Sequence, residues 1–201
     1  MEPFIERTVE DFLDRMLQGT PPADLLASFT YELPALVVFE LLGVPREDVA
    51  TIKRWADSRL VMSWGRPTDE EQVRQAQNAV AFYDYAKALV AERARHPGED
   101  YVSDLIRLRD GDDARMSLHE IGGTVFNLLF AGHETTTNAT TNLFKAILSD
   151  RELWGRICRG EQPILPVVEE GLRYDPPVHA WRRGVKEDVE LDGVRVPAGA
   201  R

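Results

Sequence analysis

Leu128-Leu-Phe-Ala-Gly-His-Glu-Thr-Thr-Thr-Asn138 is the stretch that decides the fold of this 201-residue chain. Upstream of it, Ser117 precedes an apolar run and Glu120 follows three residues later, which is the spacing of a capping box that opens a helix. The next strong stop lies at Ser149-Asp150. The pattern predicts one long central helix over about 117–149, which at about 1.5 Å per residue would be on the order of 48 Å long.

The middle of this predicted helix departs from the usual rules for a helix. Gly132 costs about 1 kcal/mol relative to alanine in a helix interior, and the β-branched Thr135 is a weaker helix former. A threonine hydroxyl can donate to the carbonyl four residues earlier, which for Thr135 belongs to Ala131. Glu134 is an acid that is costly to bury. Such departures are expected at functional sites, but a face of solvated threonines would give the same pattern.

Three stretches of the chain resemble the cytochrome P-450 family of haem-thiolate monooxygenases. Ala131-Gly-His-Glu-Thr-Thr136 resembles the distal-helix motif of the family. Glu169-Glu-Gly-Leu-Arg-Tyr-Asp-Pro-Pro-Val178 resembles its Glu-x-x-Arg helix and the proline-rich turn that follows. Phe39-Glu-Leu-Leu-Gly-Val-Pro-Arg-Glu-Asp48 resembles a connection common in the soluble bacterial members. The three stretches occur in the order of the family, and the resemblance covers nearly the whole chain.

The spacing of apolar residues predicts a mainly α fold. Residues 1–175 are predicted to be helical, and 178–201 a β-element with a short hairpin around Asp192-Gly193. The resemblance implies the middle part of the cytochrome P-450 fold and a single incomplete domain over 1–201. We expect an internal fragment that lacks the N-terminal part and the cysteine-ligand loop of the family, and that is inactive alone.

The resemblance also implies roles for individual residues of the central helix and beyond. Glu134 and Thr135 match the acid–alcohol pair that helps to deliver protons while dioxygen is activated. An acid and a hydroxyl in an apolar pocket can orient a water and pass its proton along. Ala131 and Gly132 match positions that leave room at the cofactor. Arg183 matches an arginine that binds a haem propionate in many bacterial members, and Arg182 beside it makes the register ambiguous.

Residues near the C-terminus carry two further expectations. Glu170 and Arg173 match the Glu-x-x-Arg pair, which is structural and buried in the family, although two residues three apart on a helix can also form a surface ion pair. The segment Val178, His179 and Ala180 matches one that lines the substrate pocket.

No metal ligand is predicted within the chain. His133 would need a second histidine four residues later to form the helical zinc motif, and Thr137 stands there instead. We interpret His133 as structural. Cys158, the single cysteine, precedes the Glu-x-x-Arg helix, whereas the axial cysteine of the family follows it. The axial cysteine is therefore expected to be absent from this chain.

Composition limits the partners and the compartment. The net charge of −10 leaves no basic surplus for phosphates, which argues against a nucleic-acid partner. No apolar run approaches the roughly 20 residues of a membrane span, so no membrane partner is expected. One cysteine gives no internal disulfide and suits a reducing compartment, and we expect a cytoplasmic protein.

The resemblance implies an enzyme that inserts one oxygen atom of dioxygen into a small apolar organic molecule. Its cofactor would be haem, and its electrons would come from NAD(P)H through a ferredoxin and ferredoxin reductase. The alternative is a non-enzymatic helical module that binds a ligand or a partner. A carboxylate di-iron bundle would need Glu-x-x-His motifs, but Glu134 is followed by Thr137 and Glu170 by Arg173.

Overall fold

The computed structural model describes residues 1–181 and 183–200. These residues form eight α-helices and one antiparallel pair of strands, which confirms the predicted mainly α fold. The helices are α1 (Glu2–Leu17), α2 (Leu33–Leu41), α3 (Val49–Trp64), α4 (Asp69–Arg95), α5 (Tyr101–Arg109), α6 (Leu118–Ser149), α7 (Arg151–Cys158) and α8 (Ile164–Tyr174), and the strands are β1 (Val189–Leu191) and β2 (Val194–Val196).

The predicted central helix is α6, and its first turn is closed as the sequence indicated. Glu120 N donates to Ser117 Oγ over 3.2 Å, and Ser117 N donates to Glu120 Oε2 over 2.7 Å. Helix α4 begins with the same reciprocal pair, formed by Thr68 and Glu71. Each box satisfies backbone donors that a helix otherwise leaves without partners, so the two longest helices begin at fixed residues.

The helical stretch between α1 and α3 is divided in two. The sequence of residues 24–42 predicts helix with Pro34 at an internal kink or start, and the structure has a π-helical turn at Leu26–Thr30 and a separate α2 with Pro34 in its first turn. Proline lacks an N–H group and is tolerated only in the first turn, which explains the new start. Gly43 ends α2 with a φ of +68°, as expected of a glycine cap.

The core lies where α2, α3, α4 and α5 surround one side of α6. Aromatic and aliphatic side chains from all five helices are buried together there. The largest fully buried members are Phe39, Phe82, Leu42, Ile52, Ile121 and Leu129.

A buried charge ties the ends of three helices together. Asp100 caps α5 by accepting from Ser103 N over 2.9 Å, and it also accepts from Arg93 Nε of α4. The same guanidinium donates to the Gly43 carbonyl after α2 over 2.6 Å. The arginine fork thus bridges α2, α4 and α5 and compensates the carboxylate that it buries.

The predicted hairpin is present near the C-terminus. Strands β1 and β2 pair Val189 with Val196, and Asp192 and Gly193 form the turn with φ values of 50° and 78°. Both residues have the positive φ that a two-residue turn of this class needs. In the described part of the chain, no helix is both long enough and apolar enough to cross a membrane.

Helices α2 and α6 approach each other closely at Gly132. A Cβ atom added to Gly132 would lie 2.9 Å from both γ-carbons of Val38 on α2. Gly123, nine residues earlier on the same helix, has no atom within 4 Å of an added Cβ. Replacing Gly132 by alanine therefore tests both packing and helix propensity, whereas replacing Gly123 tests helix propensity alone.

We expect Gly132→Ala to lower the free energy of unfolding by about 1–3 kcal/mol, because the contact with Val38 outweighs the gain in helix propensity. Gly123→Ala is the control and should be neutral or stabilising by up to about 1 kcal/mol. Urea denaturation of both variants measures the difference. Equal stabilisation by the two substitutions would contradict the close approach, and adding Val38→Ala should recover part of the loss.

Candidate active site

Helix α6 has one buried side and one open side. A row with a spacing of four residues is buried against the other helices: Ile121, Val125, Leu129, His133 and Thr137. On the opposite side Asn127 and Ala131 are exposed, and Thr135 is half-buried. Because residues four apart lie on one helix face, these three side chains form a row along the open side.

Thr135 lies on this open row and bonds within its own helix. Its Oγ1 donates to the Ala131 carbonyl over 3.0 Å, which is the bond that the sequence indicated. The lone pairs of the hydroxyl oxygen are left to accept a hydrogen bond from another group. Ala131, with only a methyl group, leaves the helix surface flat beside the hydroxyl.

An open groove of about 470 Å³ adjoins Thr135 between α6 and α8. Its lining is mostly aliphatic, with threonine hydroxyls along one edge. It is formed by Thr135, Thr136, Ala139, Thr140, Leu143, Val168, Leu172 and Pro177.

Glu134 lies at the boundary between the open and buried sides. Its Oε1 is 3.3 Å from His133 Nε2, without the alignment of a hydrogen bond, and 3.8 Å from Lys53 Nζ of α3. The contact with His133 lowers the pKa of the Glu134 carboxyl below its ordinary value, and the charge of Lys53 lowers it further. Burial acts in the opposite direction but does not cancel these effects. The carboxyl is therefore ionised at neutral pH.

Lys53 is a buried cation with three kinds of contact. Its Nζ donates to the Tyr31 carbonyl over 2.9 Å, lies 3.8 Å from the centre of the Tyr31 ring and faces Glu134. Burial lowers the pKa of Lys53, and Glu134 opposes that shift. Burial and Glu134 also raise the pKa of the nearby Asp57 carboxyl.

The sequence reasoning did not identify Lys53 or Asp57. Lys53 stands on the apolar face of α3, beside Val49, Ile52 and Ala56, all of which are buried. A lysine at an apolar position of an amphipathic helix is a signal that could have identified it.

Gly132 and His133 both belong to the buried side of the helix. Gly132 faces Val38, so its missing side chain serves the packing of α2 on α6. The His133 ring is fully buried and meets Phe39 edge-on with ring centres 5.5 Å apart. Neither ring nitrogen has a hydrogen-bond partner in the structure.

The Glu170–Arg173 pair forms on α8 but is not buried. Two hydrogen bonds of 2.7 Å join the guanidinium to the carboxylate, and the side chains are 61% and 70% exposed. This exposure differs from the burial that the resemblance implies, since no described residue covers this face of α8. Helix α8 is instead tied to α6 by Asn142, whose Nδ2 donates to the Asp175 carbonyl over 3.3 Å.

The segment after α8 carries the remaining predicted residues. Val178 is half-buried, whereas His179, Ala180 and Arg183 are exposed. His179 Nε2 lies 3.3 Å from Asp175 Oδ1 at the end of α8. Arg182 lies outside the described residues, so the choice between the two arginines rests on the sequence.

The described residues contain a single cysteine. Cys158 is exposed at the end of α7. Within 1–181 and 183–200, no group of three or more His, Cys, Asp or Glu side chains is arranged to hold a metal ion.

Comparison with known proteins identifies the family. The sequence model of the family described as cytochrome P-450 matches residues 1–159. The cytochrome P-450 monooxygenase PikC of Streptomyces venezuelae is 36% identical over 202 residues, which cover 99% of this chain and 47% of that protein.

Solved structures agree with the sequence comparison. Cytochrome P-450 CREJ in complex with (4-ethylphenyl) dihydrogen phosphate is 35% identical, with a TM-score of 0.92 over 98% of this chain and 49% of that chain. P-450 BioI in complex with an acyl carrier protein ligated to hexadec-9Z-enoic acid is 31% identical, with a TM-score of 0.88 over 98% of this chain and 51% of that chain.

The chain spans about half the length of the curated relatives it matches. The family model nevertheless covers most of the chain. The chain belongs to the cytochrome P-450 family.

Proposed function

We propose that this chain forms part of a haem-thiolate monooxygenase in which the open side of α6 faces the reacting groups. The observation that carries the proposal is the Glu134–Thr135 pair. An ionised carboxylate adjoins a hydroxyl that is fixed to the Ala131 carbonyl on the open row. Family membership favours this function over a non-enzymatic helical module.

The residues beside Thr135 fit an apolar planar cofactor. The groove between α6 and α8 is largely aliphatic, and Ala131 leaves the adjacent helix surface flat. When bound, haem supplies the binding and reductive activation of dioxygen. Arg183 would bind a propionate, and Val178, His179 and Ala180 would border the substrate. Cys158 is not a haem ligand in this proposal, and the thiolate would come from a residue outside 1–201.

Glu134 and Thr135 would act as a proton path. The Glu134 carboxylate accepts a proton from solvent water and passes it to a water held at Thr135 Oγ1. The Thr135 hydroxyl can accept a hydrogen bond from that water because its own proton is directed at the Ala131 carbonyl. Lys53 keeps the carboxylate in position and ionised between transfers.

The substrate in this proposal is a small organic molecule that is mainly apolar. One structural neighbour is bound to (4-ethylphenyl) dihydrogen phosphate, and another to a fatty acid on an acyl carrier protein. Electrons would come from NAD(P)H through a ferredoxin and its reductase, in the cytoplasm. These two neighbours bind different molecules, so their ligands do not define the substrate class of this chain.

A reduced carbon monoxide difference spectrum tests the function directly. We expect the full-length protein that contains this chain to bind haem and give the thiolate-type Soret band. The isolated 201-residue chain should give no such band after haem titration, because Cys158 is not placed as a ligand. A thiolate band from the isolated chain would overturn the assignment of Cys158, and its absence from the full-length protein would overturn the function.

Thr135→Ala should lower the rate of product formation by roughly 100-fold in the haem-loaded full-length protein, since the water loses its fixed acceptor. Thr124→Ala is the matched control, because Thr124 makes the same kind of bond to the Glu120 carbonyl over 2.9 Å in the first turns of α6. The rate of product formation and the product formed per NAD(P)H consumed are measured for both. Equal losses in the two variants would assign Thr135 to helix structure alone.

Glu134→Gln should change the pH dependence of stability. The pKa of Glu134 is lower in the folded protein than in the unfolded chain, so ionisation stabilises the fold at neutral pH. This stabilisation is lost as the pH falls through the folded pKa. We therefore expect the variant to be less stable than the wild type at pH 7, and the difference to shrink towards acid pH in urea denaturation.

Lys53→Met is the second variant for the measurement of stability against pH. Removing the ammonium group should raise the pKa of Glu134, because burial continues to act while one compensating charge is gone. The loss of stability with acidification should then begin at a higher pH than in the wild type. A difference between Glu134→Gln and the wild type that stays constant from pH 7 to pH 4 would contradict the charge assignment.

A further inference from the structure

Arg59 is a cation of α3 whose guanidinium group lies on aromatic rings. Its guanidinium carbon is 4.2 Å from the centre of the Phe130 ring and 4.8 Å from that of Phe126. Phe126 is itself held by the fully buried Phe82, with ring centres 4.9 Å apart. Among the ion pairs of residues 1–181 and 183–200, none includes Arg59. The rings therefore hold a positive charge that is not paired with an acidic side chain of the described residues.

Asn127 orients this charge towards the open side of α6. Arg59 Nη2 donates to Asn127 Oδ1 over 3.0 Å, so the Asn127 amide presents its two N–H bonds elsewhere. In the described part of the chain, no hydrogen bond uses Asn127 Nδ2, and Arg59 Nη1 is buried without a partner. The pair therefore offers N–H donors and one positive charge.

The positive charge of Arg59 is partly buried, and its loss of hydration is not fully compensated. Burial lowers the pKa of Arg59, and no neighbouring acid counteracts that effect. An arginine stays protonated at neutral pH, so the cost of partial burial remains in the folded protein. An anionic group brought to Asn127 and Arg59 would offset part of it.

The spacing between Asn127 and Thr135 on α6 sets the distance between the charged pair and the Thr135 hydroxyl. Asn127, Ala131 and Thr135 follow one another at intervals of four along the open row, and Asn127 and Ala131 are exposed. Eight residues of α-helix correspond to about 12 Å along the axis. A molecule lying along this row would reach from Arg59 to Thr135.

We propose that Arg59 and Asn127 bind an anionic oxygen group of the substrate, a carboxylate or a phosphate monoester, at the end remote from the carbon that is oxidised. The Asn127 Nδ2 hydrogens and the remaining Nη2 hydrogen donate to its oxygens. The substrate is thus an amphiphile whose apolar body lies along the open row of α6. This inference rests on the proposed function and deepens it by naming the substrate class.

Binding of matched ligands to the haem-loaded full-length protein tests the proposal. The probes are n-alkanoates from octanoate to hexadecanoate, the corresponding alkyl phosphates and the matching primary alcohols, measured by titration calorimetry. We expect at least one anion to bind about tenfold more tightly than its alcohol, as for one charge-assisted hydrogen-bond site. Binding of the phosphates alone or of the carboxylates alone would identify the anion.

Asn127→Asp is the decisive variant. It is nearly isosteric and places a carboxylate against Arg59, so it neutralises the site without disturbing the packing. The tighter binding of the anion should disappear, while alcohol binding and stability are kept. Arg59→Met should also remove the preference, and Arg59→Lys should weaken it, because an ammonium lacks the planar fork.

Two results would overturn the proposal. One is that no anion binds more tightly than its alcohol to the wild-type protein. The other is that Asn127→Asp retains the full preference. The reduced carbon monoxide spectrum is recorded on the same samples. A thiolate spectrum without an anion preference removes only this inference, whereas the loss of the thiolate spectrum removes the proposed function.

Discussion

Helix α6 is 32 residues long and has to be buried on one side while the other stays open, and the surrounding helices are placed by that requirement. The buried row from Ile121 to Thr137 meets α2, α3, α4 and α5. The approach of α2 is limited by Gly132, where any side chain would meet Val38. Close packing on one side leaves a regular row of small and polar side chains on the other.

Glu134 lies at the edge between these two sides, and its chemistry follows from that position. Full burial would neutralise the carboxyl, and full exposure would leave it with an ordinary pKa. Lys53 and His133 lie on the buried side and keep it ionised, while the next residue, Thr135, lies on the open row. A carboxylate at such a boundary can exchange protons with water without a change in the position of the helix.

Lys53 and Arg59, two of the cations of α3, differ in their relation to α6. Lys53 is paired with Glu134 and with the carbonyl of Tyr31, so its charge is used within the protein. Arg59, less than two turns further along α3, rests on Phe126 and Phe130, and among the described residues its side-chain hydrogen bond goes to the neutral Asn127. Lys53 positions the carboxylate of Glu134, and Arg59 is available to an anionic group of a ligand.

The amino-acid sequence by itself determined the features that depend on neighbouring residues along one helix. The capping boxes of α4 and α6, the Thr135 bond to Ala131, the Glu170–Arg173 pair and the Asp192-Gly193 hairpin all follow from spacings of a few residues, which a helix or a turn converts directly into contacts. Family membership was also evident, because its motifs are short and continuous.

Only the tertiary structure decided what lies opposite each helix face. The local patterns did not show the π-helical turn before α2, the pairing of Lys53 with Glu134, the contact of Gly132 with Val38 or the exposure of the Glu170–Arg173 pair. Arg59 and Asn127 are 68 residues apart in the chain and meet only because α3 crosses the open edge of α6. Such contacts depend on the rotation and approach of whole helices, which no local pattern specifies.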